Sequence, residues 1–288
     1  MIPPYVTPHA LDRLISTAFE EDLGTGPCSG DHSSLSAVPA DAKGKARLLV
    51  KSEGILAGVA LAQIIFSRVG DVQMTPLMQD GSAIRPGDIA FVVQGNARAI
   101  LKAERLVLNC MQRMSGIATQ TRRAVQMIKG YKARILDTRK TTPNFRILEK
   151  WATFIGGATN HRFGLYDMIM LKDNHIDYAG GITNAVKAAQ AYRREKGLPI
   201  KIEVETRSLN EVEEVLQVGG VDVIMLDNMD VPTMQQAVQL IGGRCQTEAS
   251  GGITLEELPQ IAATGVDFIS MGALTHSAKI LDLSLKAF

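Results

Sequence analysis

From Lys132 onward the chain repeats one pattern: a short apolar run, a charged or polar break, then a longer stretch with apolar residues at helical spacing. The runs are ARILDT, DMIMLKDNH, IKIEVE, VDVIMLDN, CQTEASGG and VDFISMG. Repeated strand and helix units of this kind predict a parallel sheet closed, or nearly closed, into a barrel. The first part reads differently. HALDRLISTAFEEDL predicts an amphipathic helix, KARLLVKSEGILAG a strand and turn, DIAFVVQGNA a strand, and ARAILKAERLVLNCMQRM a long helix. SGDHSSLSAVPADAKG is expected to be a polar loop. The fold class is therefore α/β, with an N-terminal domain over 1–112 and a barrel domain over 113–275.

Composition narrows the picture only a little. The 288 residues are 45% hydrophobic and 21% charged, ordinary for a globular chain too long for one small domain. Lys and Arg total 31 against 30 acidic residues, which predicts no general attraction to nucleic acid or to an anionic membrane. Any anion site must come from local placement. Cys28, Cys110 and Cys245 lie far apart without ligand spacing, so they read as small buried side chains rather than a disulfide frame or zinc site. MIPPYVTPHALDRLI lacks the cationic start and apolar core of a secretory signal, and no apolar run reaches the roughly 18 residues of a membrane span. A cytoplasmic location is expected.

Barrels carry their chemistry at the C-terminal ends of the strands, and here successive ends hold charged groups. They carry Asp137, Arg139 and Lys140, then Lys172 and Asp173, then Glu203 and Glu205, then Asp227 and Asn228. Glu248, Ser250, Gly251 and Gly252 follow, and finally Ser270 and Gly272. The cations Arg139, Lys140, Arg162 and Lys172, with Arg105 upstream, suit a substrate bearing more than one anionic group, because Arg offers a two-point fork and Lys a compact charge. TEASGGIT and ISMGALTHS place small residues where backbone N–H groups can cradle a phosphate. Glu205 and Asp227 are the carboxylates best placed to bind Mg²⁺ or to stabilise a cationic sugar, and the alternative is a structural pairing with Lys140 and Lys172. Glu203 alternates with Glu205 and faces the same side. His161, among arginines, is expected to be pushed towards neutrality. His175 reads as a surface or packing imidazole, and no histidine pair has metal-ligand spacing. Gly156 and Gly157 fit either a close approach of backbone to the site or a helix-ending turn.

ERLVLNCMQRMSGIAT, DTRKTTPNFRILEKWA, GGATNHRFGLYDMIMLKDNHI, IEVE, IMLDNM, EASGGI and GVDFISMGALTHS together resemble, in order, the quinolinate phosphoribosyltransferase family. The resemblance implies an open seven-stranded α/β barrel, an N-terminal α/β sandwich domain, and a C-terminal tail, 276–288, packed on that sandwich. It implies transfer of phosphoribose from 5-phosphoribosyl 1-pyrophosphate to quinolinate with Mg²⁺, giving nicotinate mononucleotide, pyrophosphate and carbon dioxide on the route to NAD. By motif, Arg105, Arg139, His161, Arg162 and Lys172 would surround the quinolinate carboxylates. Lys140 would bridge to the pyrophosphate, Glu205 and Asp227 would lie near ribose and metal, and Ser250, Gly251, Gly252, Gly272, Ala273 and His276 would hold phosphate. Thr138 and Ser270 complete the expected substrate set. Arg105 would come from the neighbouring subunit of a homodimer, or of a hexamer built from dimers. The rival readings are a Schiff-base lyase using Lys140 or Lys172, a molybdenum-transport paralogue, and a non-catalytic nucleotide sensor.

Overall fold

The structure, a computed structural model, describes residues 2–288. Helices α1 (Pro8–Leu23) and α2 (His32–Ala37) precede β1 (Lys43–Val50), β2 (Gly54–Ile55), α3 (Val59–Arg68), β3 (Val72–Pro76), β4 (Ala83–Ile84) and β5 (Ile89–Asn96). The long α4 (Ala97–Met127) leads to β6 (Arg134–Leu136), α5 (Arg146–Gly156), β7 (Met168–Leu171), α6 (Asp173–Ala179) and α7 (Ile182–Glu195). Then come β8 (Lys201–Thr206), α8 (Leu209–Val218), β9 (Val223–Asp227), α9 (Val231–Ile241) and β10 (Gln246–Ser250). The chain closes with α10 (Leu258–Ala263), β11 (Phe268–Ser270), α11 (Ala273–His276) and β12 (Leu283–Ala287).

Two compact units result, and neither is continuous in sequence. One contains residues 1–122, 141–157 and 274–288; the other contains 123–140 and 158–273. The boundary expected at 112 falls inside α4, and α5 belongs to the first unit although it follows β6 in the chain. Part of the segment expected to be polar loop is helical: Asp31 caps α2 by accepting the Ser34 backbone N–H at 3.1 Å, which satisfies one of the orphan donors of a short helix.

In the first unit a four-stranded sheet runs β12-β1-β5-β3, with β1 antiparallel to both neighbours. The C-terminal strand thus pairs along β1, from Ala46 opposite Ala287 to Val50 opposite Leu283. Helix α4 buries Ala103, Val107, Met111, Met114 and Ala118, a three-to-four residue spacing that puts one apolar stripe inward. Two of its polar residues pair with the chain between β1 and α3: Ser115 Oγ accepts Ala57 N–H at 2.9 Å, and Thr119 Oγ1 accepts Ile55 N–H at 2.8 Å. Arg113 donates twice to the fully buried Glu149 carboxylate, at 2.8 and 3.1 Å, and also to the Ala278 and Thr275 carbonyls. Glu149 accepts from the Thr142 N–H and hydroxyl as well, so this buried charge pair has its hydrogen bonds made. Gly156 and Gly157 end α5 as a helix-stop: Gly157 takes a left-handed φ of 103° and its N–H returns to the Phe154 carbonyl.

Gly116 permits the close passage of the C-terminal segment, because a methyl there would overlap the Lys279 carbonyl oxygen. Gly to Ala in an open helix ordinarily gains ~1 kcal/mol. Here the sign reverses, and Gly116→Ala is expected to lose ~1–3 kcal/mol through overpacking. A thermal melt showing an unchanged or raised midpoint would contradict this packing.

The second unit holds a six-stranded parallel sheet in the order β6-β11-β10-β9-β8-β7. Each of its strands coincides with one of the six apolar runs. The resemblance implies seven strands where this sheet has six, and between β6 and β7 the chain adds only an isolated parallel bridge from Leu136 to Thr159. The reason lies in residues 160–164, where carboxylates rather than a neighbouring strand take up backbone N–H groups. Asp137 accepts from His161, and Asp167 accepts from Phe163 and Gly164. Strands buried on both faces are usually apolar throughout. Glu203, Glu205 and Glu248 break that rule at 0, 8 and 1% exposure, and buried carboxylates are costly unless partnered.

Candidate active site

The parallel register places those three carboxylates. Glu205 lies beside Met225, which lies beside Glu248; one step further, Asp227 lies beside Ser250. Since alternate residues of a strand share a face, this row and the next build one wall at the C-terminal ends of β8, β9 and β10. Around it opens a cavity of about 570 Å³. Thr138, Arg139, Lys140, His161, Arg162, Lys172, Glu205, Asp227, Ser250, Gly251, Gly252 and Ser270 line it, all from the second unit. Asp173, Asn228, Glu248 and the side chains of Met170 and Met225 complete the lining.

Four residues expected at the site are not in that lining. Gly272 and Ala273 follow β11 in the same unit, whereas Arg105, exposed on α4, and His276, exposed on α11 with Nδ1 2.6 Å from Ser277 Oγ, belong to the other unit.

Local chemistry sets the cations. Thr138 Oγ1 accepts the Lys140 backbone N–H at 3.0 Å, fixing the turn that carries Arg139 and Lys140 away from β6. Arg162 is 9% exposed and its Nη1 donates to the Met168 carbonyl at 3.2 Å. Burial, then repulsion from Arg139, lowers its pKa, while Glu203 and Asp167 act against that. Lys172 is half exposed, with Nζ 3.4 Å from Glu205 Oε2, so the structural pairing considered for Glu205 is present alongside its exposure to the cavity. His175 accepts the Lys172 N–H on Nδ1 at 3.1 Å and acts as a helix cap for α6.

His161 is not driven to neutrality. Burial disfavours its charged form, but hydrogen bonds and charge from Glu203 and Glu248 outweigh burial and push it up to about 10. Glu203 in turn is pushed up to about 7 by burial and by the neighbouring Glu248 charge. The sequence put Glu203 on the inward face but gave it no role, and Glu248 was recognised only as a strand-end acid. Alternation shows which way a side chain points; what it meets from a strand more than forty residues away is set by the register.

The loop after β10 is shaped for backbone contacts. Asn228 adopts a left-handed φ of 53° and its N–H donates to Ser250 O at 2.9 Å. Gly251, at φ 105°, abuts the Asn228 side chain so closely that any Cβ would collide with it. Of the cysteines, none is in the cavity lining: Cys110 is buried, with burial pushing its thiol up to about 12, Cys245 is partly covered, and Cys28 is exposed, contrary to the expectation that all three are buried. No helix of the described residues is long and apolar enough to cross a membrane.

A cavity with four cations, facing carboxylates and a glycine-lined loop is suited to an anionic ligand. Known proteins resemble this chain over nearly its whole length. The nicotinate-nucleotide pyrophosphorylase [carboxylating], chloroplastic, of Arabidopsis thaliana is 46% identical over 299 residues, covering 99% of this chain and 84% of that protein. The probable nicotinate-nucleotide pyrophosphorylase [carboxylating] of Bacillus subtilis is 44% identical, covering 96% of this chain and 92% of that one. The crystal structure of NadC from Streptococcus pyogenes superposes with a TM-score of 0.90 at 38% identity, covering 98% of this chain and 97% of its own. Residues 31–115 match the N-terminal domain, and 117–286 the C-terminal domain, of quinolinate phosphoribosyl transferase, and the chain belongs to that family.

Proposed function

We propose that the protein transfers phosphoribose from 5-phosphoribosyl 1-pyrophosphate to the ring nitrogen of quinolinate, releasing pyrophosphate and carbon dioxide and leaving nicotinate mononucleotide. The observation that carries this reading is the single cavity in which Arg139, Lys140, Arg162 and Lys172 face Glu205 and Asp227. Arg139, Arg162 and Lys172 hold the two carboxylates of quinolinate, by forks and a point charge in a partly buried site where such contacts are strong. Lys140 lies towards the pyrophosphate. The backbone of Ser250, Gly251 and Gly252, with Thr138, Ser270, Gly272 and Ala273, receives the phosphate.

The bond from ribose C1 to the pyrophosphate oxygen lengthens, and its electron pair leaves with pyrophosphate into the cationic wall. Positive charge grows on the sugar, where Glu205 and Asp227 are placed to stabilise it. The quinolinate nitrogen lone pair forms the new bond to C1. The nitrogen becomes a pyridinium, so the adjacent carbon can hold the pair left when carbon dioxide departs, and a solvent proton then completes the ring. Hard carboxylate donors at Glu205 and Asp227 fit Mg²⁺, which would arrive with the phosphates and neutralise part of their charge.

The resemblance further suggests an open α/β barrel and a homodimer or larger assembly in which the exposed Arg105 is lent to a neighbouring cavity.

The deciding assay supplies quinolinate or nicotinate with the ribosyl donor and Mg²⁺, and follows nicotinate mononucleotide and carbon dioxide. Product from quinolinate alone is the expected result. Absence of product from either acceptor would overturn the assignment, and carbon dioxide released without the ribosyl donor would overturn the order of steps.

A further inference from the structure

Two segments that leave the parallel sheet continue directly into the first unit. After β6 the chain carries Thr138, Arg139 and Lys140 and enters that unit at Thr141; after β11 it carries Gly272 and Ala273 and enters at Leu274. Just past the first entry, Thr142 donates its backbone N–H to Glu149 Oε2 and its hydroxyl to Glu149 Oε1, each at 3.0 Å. Just past the second, the Thr275 and Ala278 carbonyls accept from the Arg113 guanidinium, the latter at 2.9 Å. Arg113 and Glu149 are joined to each other at 2.8 and 3.1 Å. One ion pair therefore ties down both segments.

Stability alone does not account for such a pair. A buried ion pair holds a fold little better than apolar side chains of similar volume, and Glu149 is fully buried. What apolar side chains cannot do is accept an N–H or donate to a carbonyl. The carbonyls that Arg113 takes lie at and just beyond the end of α11, where a helix leaves its acceptors without partners. In the other segment, Thr138 Oγ1 holds the Lys140 N–H, and Arg146 Nε donates to Thr141 Oγ1 at 2.9 Å. Arg139 and Lys140 are thus tied on both flanks. An anchor at residue 142 confines Lys140 closely, because two residues of chain span at most roughly 7 Å. The same reasoning links Thr275 to Ala273.

We propose that Arg113 and Glu149 are positioning residues for the ribosyl donor, clamping the loop that carries Lys140 and the segment that carries Gly272 and Ala273. The inference rests on the transferase reading above for what those groups bind. Neither Arg113 nor Glu149 lines the cavity, so their effect passes through the loops they hold.

Removing one partner strands a charge and is expected to lower the melting point, which mixes folding with positioning. The double variant Arg113→Met with Glu149→Leu separates them. It fills the space with apolar groups, and its melt is expected close to that of the wild type. Its KM for the ribosyl donor is expected to rise about tenfold, while KM for quinolinate stays within about threefold because Arg162 and Lys172 lie on other segments. A folded double variant with an unchanged donor KM would overturn the clamp, and so would equal rises for both substrates. Thr142→Val, at an exposed position, removes one of the anchoring bonds without disturbing the core. It is expected to raise donor KM about threefold in the wild type and to add nothing in the double variant. If the double variant does not fold, an unchanged donor KM in Thr142→Val overturns the proposal. Calorimetric titration of inorganic pyrophosphate into each protein reads the same weakening without turnover. An inactive wild type would count against the transferase reading, and the pyrophosphate titration would still decide the clamp.

Discussion

Arg162→Ala is expected to lower kcat/KM for quinolinate by about 30- to 4,000-fold, one of the two large effects at this site. The figure follows from removing one member of a desolvated charged contact, which costs ~2–5 kcal/mol, at ~1.4 kcal/mol per tenfold. Arg162 is 9% exposed, and Arg139 repels it, so its charge is held in place at a cost that a bound carboxylate would relieve. The loss should fall mainly on KM for quinolinate, with the ribosyl donor almost unaffected. Arg162→Lys is expected to recover only part, since an ammonium lacks the planar fork. Steady-state kinetics with each substrate varied in turn checks this, alongside a melt showing that the variant is folded. Equal loss towards both substrates would assign Arg162 to general architecture instead.

Glu205→Gln is expected to act on the other parameter. Glu205 is 8% exposed and lines the cavity, with Lys172 Nζ 3.4 Å from its carboxylate. Gln keeps the size and an acceptor but removes the negative charge. Charge on the ribose exists chiefly in the transition state, so kcat should fall by about 10²–10³ while both KM values change little. The comparison of initial rates at saturating and limiting quinolinate separates these. A raised KM for the ribosyl donor with kcat preserved would place Glu205 in ground-state binding. The loss of Glu205 also releases Lys172, so Lys172→Met in the Glu205→Gln background is a useful partner: a shared role predicts less than the product of the two single losses.

Much of this architecture was readable from the chain. Six apolar runs followed by helical stretches gave six parallel strands, because a strand buried on both faces must be apolar and a helix packed on it must be amphipathic. The same frame put Arg139, Lys140, Lys172, Glu205 and Asp227 at strand ends, and these line one cavity. Other features depended on contacts remote in sequence. The pairing of β12 with β1 joins residues more than 200 positions apart, and the placing of α5 in the first unit follows from such contacts as Arg113 with Glu149. The missing seventh strand reflects Asp137 and Asp167 taking backbone N–H groups that a ladder would have used.

The charge state of His161 shows most clearly where the sequence stops. Its sequence neighbours are Asn160 and Arg162, which argue for a neutral ring, yet the groups nearest its Nε2 are Glu203 and Glu248, which argue the opposite. Local pattern determines which residues form strands, which side chains face inward and which strand ends carry charge, since these follow from a few consecutive residues. Which of those side chains meet, and so what each titrates against or holds in place, was decided by sheet order and register, which bring Glu203 and Glu248 to one imidazole across 42 to 87 positions of chain.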